Sequence, residues 1–156
     1  MTLRLLAFTA RGFALAQTLA GALGGEAARC GAPLGPADWT TDGFAQADAL
    51  VFVGAAGIAV RAIAPHVCHK AADPAVVVVD EAGRFAVPIL SGHLGGANDL
   101  ARRIAAQCGA VPVITTATDV RGLFAVDEWA RRQNCRVENP EAIVRVSSKI
   151  LAGGTA

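Results

Sequence analysis

Short apolar runs of strand length alternate along this chain with segments of helical period, and turns rich in glycine or small polar residues separate them. The apolar runs lie at 3–8, 49–53, 76–79, 85–90 and 111–114. Parallel strands need crossover connections, and right-handed crossovers lay helices across a sheet. The alternation therefore predicts a three-layer α/β fold, with a mostly parallel sheet and helices on both faces, as in Rossmann-like and flavodoxin-like domains.

The segments between these runs predict the remaining elements. Helical spacing of apolar residues predicts helices over 13–23, 98–108, 126–134 and 140–151, and a short helix that ends before Pro65. The turn at 81–84 predicts a hairpin into the run 85–90, where Pro88 favours an edge strand or a bulge. The stretch 31–43, which contains Pro33 and Pro36, is expected to be a loop.

Composition narrows the class of protein. A length of 156 residues fits one domain, and 53% hydrophobic residues exclude intrinsic disorder. Only 17% of residues are charged, so either much of the surface consists of alanine and glycine or part of it faces another protein. The 14 basic and 13 acidic residues nearly cancel and aromatic residues are only 5%, so a nucleic-acid partner is not expected. No stretch has the length and apolarity of a membrane span, and a membrane partner is not expected either.

The cysteines and histidines give little sign of a metal site. Four cysteines lie far apart without a C-x-x-C pair, which argues against a zinc knuckle or a disulfide scaffold and favours free thiols in the cytoplasm. His66, Cys68 and His69 place three metal-binding side chains within four residues. Nothing else in the sequence completes a site around them, so no bound metal is expected.

Clusters of glycine and polar residues follow three of the predicted strands, after Val53, Leu90 and Ile114. In open α/β sheets, ligands bind beyond the carboxyl ends of the strands. If all three strands run in the same direction, the three clusters meet at one edge of the sheet. The sequence therefore predicts one binding site built from the three clusters.

The first cluster contains Gly54 and Gly57 and is followed by Arg61. Glycine lets a ligand approach the backbone, and the next helix would offer N–H groups to an anion, with Arg61 as a cation one turn beyond. The spacing is neither the dinucleotide fingerprint nor a phosphate-binding loop with its lysine. A tight packing turn remains an equally open interpretation.

The second and third clusters carry the side chains best suited to chemistry. In the segment 91–98, a neutral His93 could accept a proton from water, and the helix start at Gly95 and Gly96 could stabilise an oxyanion. The alternative is that Ser91 or Asn98 caps the helix while His93 bonds within the loop. Further along the chain, Thr115, Thr116 and Asp119 offer two hydroxyls and a carboxylate. Aspartate is also common as a cap of helices and turns, and this is the alternative role for Asp119.

Four segments in order resemble the N-terminal region of the cobalamin biosynthesis protein CbiG. They are GIAVRAIAPH at 57–66, DPAVVVVD at 73–80, LSGHLGGAN at 90–98 and PVITTATD at 112–119. The resemblance runs from about Ala49 to Asp127. It implies an α/β domain over 1–138, with 139–156 as the start of the family's middle segment and the C-terminal CobE-like domain absent.

The resemblance also implies a function, cobalt-precorrin-5A hydrolase, in which water opens a δ-lactone of a cobalt tetrapyrrole and acetaldehyde leaves. We expect His93 and Ser91 to be catalytic, with cobalt arriving in the substrate, no cofactor of the protein's own, and a CobE-like domain or a second copy as partner. The candidate substrate-binding residues are Gly54, Gly57, Arg61, Lys70, Gly92, Gly95, Gly96, Asn98, Thr115, Thr116 and Asp119. The alternatives are a non-catalytic tetrapyrrole-binding or scaffold module and a general anion- or nucleotide-binding protein.

Overall fold

The computed structural model describes residues 1–153 and contains a sheet of six strands with helices on both faces. Its strands are β1 Leu3–Ala7, β2 Glu26–Arg29, β3 Ala49–Val53, β4 Ala75–Val79, β5 Phe85–Leu90 and β6 Val111–Pro112. Its helices are α1 Ala10–Leu23, α2 Pro36–Gln46, α3 Ala56–Ile63, α4 Ala97–Cys108, α5 Ala117–Val120, α6 Val126–Arg132 and α7 Ala142–Leu151. The predicted three-layer α/β fold is confirmed. None of these helices combines the length and apolarity required to cross a bilayer.

The strand order is β2-β1-β3-β4-β5-β6, and the first four of these strands are parallel. β5 returns antiparallel to β4 after a tight turn at Gly83, whose φ is +68°. β6 is parallel to β5 and therefore also runs against the first four strands. The sheet thus contains two groups of strands that point in opposite directions.

Two apolar layers hold the helices on the sheet. Helices α1 and α4 cover one face through residues such as Leu19 and Ile104, which pack with the inward side chains of β1 and β4. Helices α2 and α3 cover the other face, where Trp39 packs edge-on against Phe52 at a ring-centroid distance of 5.4 Å. Strands β3 and β4 are buried along their whole length because both of their faces are covered.

The prediction of a loop over 31–43 is wrong for the second half of this stretch, because α2 begins at Pro36. A proline is well suited to the first turn of a helix because its missing N–H would be unpaired there in any case. The helix buries Trp39 and Thr40. Gly43 is in close contact with Leu50, because a Cβ on Gly43 would lie 2.7 Å from Leu50 Cδ2. Tertiary packing therefore selects a helix that the prolines and threonines obscured.

Strand β6 is shorter and more exposed than its apolar sequence predicts. It consists of Val111 and Pro112 only, both exposed, although 111–114 was expected to be a buried strand. It pairs with the beginning of β5 alone, which leaves the rest of β5 as a sheet edge. The pairing of β4 with β5 is irregular next to Pro88, which confirms the predicted edge or bulge.

The reversal at β5 also overturns the expectation of a single binding edge. Gly54 follows the carboxyl end of β3, beside the ends of β1 and β4, and we call this side of the sheet the β1–β4 edge. Ser91 follows the carboxyl end of β5, which lies at the opposite side, next to the start of β4. Since β6 is parallel to β5, the threonines after it lie on that same opposite side, the β5–β6 edge.

Candidate functional site

The loop 91–96 between β5 and α4 forms the base of the candidate site at the β5–β6 edge. Ser91 has a φ of +55°, a conformation that is uncommon for residues other than glycine. Gly96 has a φ of +85°, and a Cβ on Gly95 would lie 2.4 Å from the Ser91 Cβ. The glycines are therefore required by the shape of this loop, which in turn fixes the position of His93.

His93 lies among three carboxylates and is 12% exposed. Its Nε2 atom is 2.5 Å from Asp119 Oδ2 and 3.8 Å from Glu128 Oε2, and its Nδ1 atom is 3.4 Å from Asp127 Oδ1. Asp119 comes from α5, while Asp127 and Glu128 begin α6. We call these four residues the His93 cluster.

The carboxylates keep the imidazole protonated. The contact with the buried Asp127, helped by Asp119 and opposed by burial, raises the pKa of His93 to about 9. Asp127 has the larger influence although it is the more distant partner, and its side chain is only 4% exposed. The expectation of a neutral His93 is therefore wrong, because this imidazole is a cation at neutral pH.

Asp119 connects the cluster to the rest of the domain. Its carboxylate accepts hydrogen bonds from Thr116 Oγ1 at 2.6 Å, Asn98 Nδ2 at 3.3 Å and Arg102 at 2.7 Å. Burial alone would raise the pKa of Asp119, but the hydrogen bonds from Thr116, His93 and Arg102 outweigh it and lower the pKa to about 2. Asp119 is thus an ionised centre rather than a simple turn cap.

A second layer of arginines surrounds these carboxylates. Arg102 lies between Asp119 and Asp99, and Arg132 pairs with Glu128 at 2.5 Å. Arg131 pairs with Asp99 and donates from Nε to the carbonyl oxygen of His93 at 3.1 Å. Helix α6 is consequently attached to the loop 91–96 and to α4 through charges.

The structure brings together many of the residues that the sequence singled out. His93, Asn98, Thr116 and Asp119 are joined directly, and Gly92, Gly95 and Gly96 shape the loop that holds them. Lys70 is close enough for its charge to favour the ionised form of Asp127 and so lower its pKa, although burial of that carboxylate acts in the opposite direction. Thr115, which follows β6 on the same segment as Thr116, is exposed.

Other predicted site residues have different surroundings. Ser91 is 9% exposed and donates its hydroxyl to the carbonyl oxygen of Asp73 at 3.2 Å, which attaches β5 to the segment before β4. Gly54 lies at the β1–β4 edge, where a Cβ would be 2.8 Å from the ring of Phe8. Gly57 and Arg61 are exposed on α3. None of these four residues belongs to the His93 cluster.

The predicted oxyanion donors are only partly available. The N–H groups of Gly96, Ala97 and Asn98 donate to the carbonyl oxygens of His93, Ser91 and Gly92. The start of α4 is therefore capped by its own loop, and the N–H of Gly96 is not available to a ligand. The charged imidazole of His93 is therefore better placed than these N–H groups to stabilise an oxyanion at this edge.

Sequence reasoning missed several members of this site, above all Asp127 and Glu128. The only signal was a pair of acidic residues opening a predicted helix, which is common because it complements the helix dipole. Arg102 lies within the predicted helix over 98–108 and was not among the candidate site residues. None of these residues carries a local sign that it contacts His93.

One group of side chains could hold a metal ion within residues 1–153. His93, Asp119 and Glu128 each offer one donor atom, and the three atoms lie within 4.8 Å of one another. These atoms already face a proton on the imidazole and hydrogen-bond donors on the carboxylates, so a metal would have to displace them. The segment with His66, Cys68 and His69 forms no such group in the described part of the chain.

Comparison with known proteins gives one family. The family model described as cobalamin synthesis G N-terminal matches residues 38–119. A cobalt-precorrin-5A hydrolase of Salmonella typhimurium is 47% identical over 117 residues, which cover 75% of this chain and 33% of that protein. A protein of the same name from Priestia megaterium is 42% identical over 108 residues, 69% of this chain and 29% of that protein. The chain thus spans about a third of the length of these relatives.

A solved structure agrees with this result. A cobalamin biosynthesis protein G homolog from Sulfolobus solfataricus superposes with a TM-score of 0.64 at 25% sequence identity. The superposition covers 97% of this chain and 46% of the other. The family model, which matches residues 38–119, includes the loop 91–96 and Asp119 but ends before α6, which supplies the other two carboxylates of the His93 cluster.

Proposed function

The chain belongs to the cobalamin synthesis G N-terminal family, and from this premise we propose that it takes part in the hydrolysis of cobalt-precorrin-5A. The observation that carries this proposal is the 47% identity to a relative of that name over three quarters of the chain. In the proposed reaction, water opens the δ-lactone of the cobalt tetrapyrrole, and the freed two-carbon fragment leaves as acetaldehyde. Cobalt is part of the substrate, and the reaction uses no cofactor of the protein's own.

We propose that the His93 cluster carries the proton transfers of this reaction. Glu128 accepts a proton from the attacking water, and the His93 imidazolium stabilises the oxyanion and donates its proton to the departing alkoxide. The proton on Glu128 then returns to His93, so this step adds one water across one ester bond. Acetaldehyde leaves in a second step, in which the freed hydroxyl loses its proton and becomes the aldehyde carbonyl. The carbon–carbon bond to the macrocycle breaks, and its electron pair stays on the ring carbon, which takes up a proton. Two observations support these roles: Glu128 Oε2 lies 3.8 Å from His93 Nε2, and Glu128 also lines a cavity of about 210 Å³.

This assignment changes the role that the sequence suggested for His93. A raised pKa makes it an acid rather than a base at neutral pH. Ser91 is proposed to position the loop instead of reacting, because its hydroxyl is already bonded to Asp73. We also propose, from the sequence, that the protein is cytoplasmic. Its proposed partner is a CobE-like domain or a second copy of the chain.

The test is acetaldehyde release from enzymatically prepared cobalt-precorrin-5A, coupled to alcohol dehydrogenase. We expect release by residues 1–156 and a decrease of roughly 100-fold or more in His93→Gln, since the variant can neither donate a proton nor carry the charge. The matched control is His69→Gln, an exposed imidazole outside the cluster. Equal rates for the wild type and His93→Gln would contradict the proposed roles.

The chain spans only about a third of the length of its relatives, and this favours a second candidate function, binding without catalysis. A tetrapyrrole-binding module without catalytic activity would bind the substrate and release no acetaldehyde. Binding that is unchanged in His93→Gln, without release by the wild type, would establish this alternative. Release by the wild type would exclude it.

A further inference from the structure

A cavity among the described residues lies away from the His93 cluster, between α2 and α3. This α2–α3 groove has a volume of about 530 Å³, within the usual range of small-molecule sites. Its apolar lining includes Pro36, Ala37 and Ile58, and its polar groups are Thr41, Arg61 and His66. A mostly apolar groove with a few polar groups is the usual form of a site for an apolar ligand with a polar substituent.

One of the polar groups that line the groove is a positive charge without an ion-pair partner among the described residues. Arg61 is exposed and forms no salt bridge within residues 1–153. His66, by contrast, is held by Thr41 at 3.2 Å and stacks near Phe44 at a centroid distance of 5.3 Å. A guanidinium with five donors and no protein partner is suited to bind a carboxylate of the ligand.

A neighbouring crevice provides a comparison. It lies between the ends of β1 and β3, where the strand order changes direction, and such switch points are the usual ligand sites of doubly wound sheets. Its volume is about 360 Å³, and it shares Ile58 with the groove. However, Asp80 and Glu81 line it, and their negative charges would repel a ligand that carries carboxylates. Charge therefore favours the groove over the position that fold topology favours.

The position of the groove also fits a ligand that extends toward the His93 cluster. The segment 64–74 begins at the groove with His66 and ends beside the cluster. Within it, Lys70 acts on Asp127, and the Asp73 carbonyl accepts from Ser91. One connecting segment therefore borders both the groove and the cluster.

We propose that the α2–α3 groove binds one carboxylate-bearing edge of the tetrapyrrole macrocycle, with Arg61 pairing with the carboxylate and Ile58 and Pro36 packing against the ring. This inference rests on the proposed function, since it names the place where that substrate is held. Under this proposal, the substrate is held on the face of the sheet that α2 and α3 cover, and the proton transfers take place at the β5–β6 edge.

The experiment measures the Kd of uroporphyrin III, a macrocycle with acetate and propionate carboxylates, by its visible spectrum. Arg61→Met is expected to weaken binding roughly tenfold or more, and Arg61→Lys to restore part of the loss because it keeps the charge. Ala37→Trp, which fills the groove from an exposed position, is expected to weaken binding to a similar extent. The matched controls are Arg103→Met and Ala106→Trp on the exposed side of α4.

Each outcome decides between the two proposals. If the wild type binds and the two groove variants bind equally well, the groove is not the site, while the proposed function is untouched. If the wild type binds neither uroporphyrin III nor cobalt-precorrin-5A, both proposals fail. Equal weakening in Arg103→Met would also overturn the groove, because it would mean that surface charge in general attracts the ligand. Thermal melting of every variant shows whether a loss of binding reflects a loss of fold.

Discussion

The two edges of the sheet carry similar glycine-rich turns in the sequence but very different surroundings in the structure. At the β1–β4 edge, Gly54 makes room for the ring of Phe8. At the β5–β6 edge, Gly95 and Gly96 shape a loop whose side chain, His93, meets three carboxylates. Glycine thus serves apolar packing at one edge and places an ionisable group at the other.

This difference shows why a glycine-rich turn alone does not identify a site. What distinguishes the β5–β6 edge is the convergence of charges from four separate elements, the loop 91–96, α4, α5 and α6. Buried, mutually perturbed ionisable groups are a frequent mark of functional sites. The comparison can be tested by substitutions that affect one edge and spare the other.

The largest effect is expected from Gly95→Ala. The new Cβ would lie 2.4 Å from the Ser91 Cβ and 2.9 Å from its carbonyl oxygen, so the loop must move. We expect the free energy of unfolding to fall by about 3 kcal/mol, as measured by urea denaturation. Binding and acetaldehyde release are expected to fall with it. A variant as stable as the wild type would mean that the loop is not rigidly packed.

The next effect concerns pH. Because the pKa of His93 is raised from 6.5 to about 9 in the folded state, its stabilisation is complete below about pH 6.5 and is lost as pH rises through about 9. The wild type is expected to exceed His93→Gln in unfolding free energy by about 3 kcal/mol more at pH 6 than at pH 9.5. The exposed control His69→Gln should show no such change. A difference that grows with pH would show that the imidazole is neutral in the folded protein.

The smallest effect is expected from Gly57→Ala at the other edge. Apart from its chain neighbours and the backbone of its own helix, no atom lies within 4 Å of the position of the added Cβ, and the residue is in the first turn of α3. We expect the unfolding free energy to rise by about 0.5 kcal/mol, because alanine has less conformational entropy to lose than glycine. Calorimetry would detect this gain. If Gly57 lets a ligand approach the backbone, as the sequence suggested, tetrapyrrole binding would weaken although stability rises.

Much of the fold was predictable because its elements have local signals. The buried strands β3 and β4 are unbroken apolar runs, and α4 has a clear apolar face and a glycine stop at Gly109, whose φ is +75°. Helix α2 was missed because its proline and threonines are typical of loops, whereas its stability comes from burying Trp39 against Phe52. The boundary proposed at residue 138 stays a prediction, and the last three residues of the segment 139–156 lie outside those that the structure describes.

The sequence by itself determined the alternation of strands and helices, the hairpin before β5 and the membership of the segment 91–98 in a recognisable motif. Only the tertiary structure decided which strand ends share an edge, because one antiparallel pairing reverses the direction of every strand after it. It also decided the charge of His93. The partners that stabilise its protonated form, Asp119 and Asp127, come from helices far along the chain, and electrostatic interactions depend on distance in space rather than on distance in sequence.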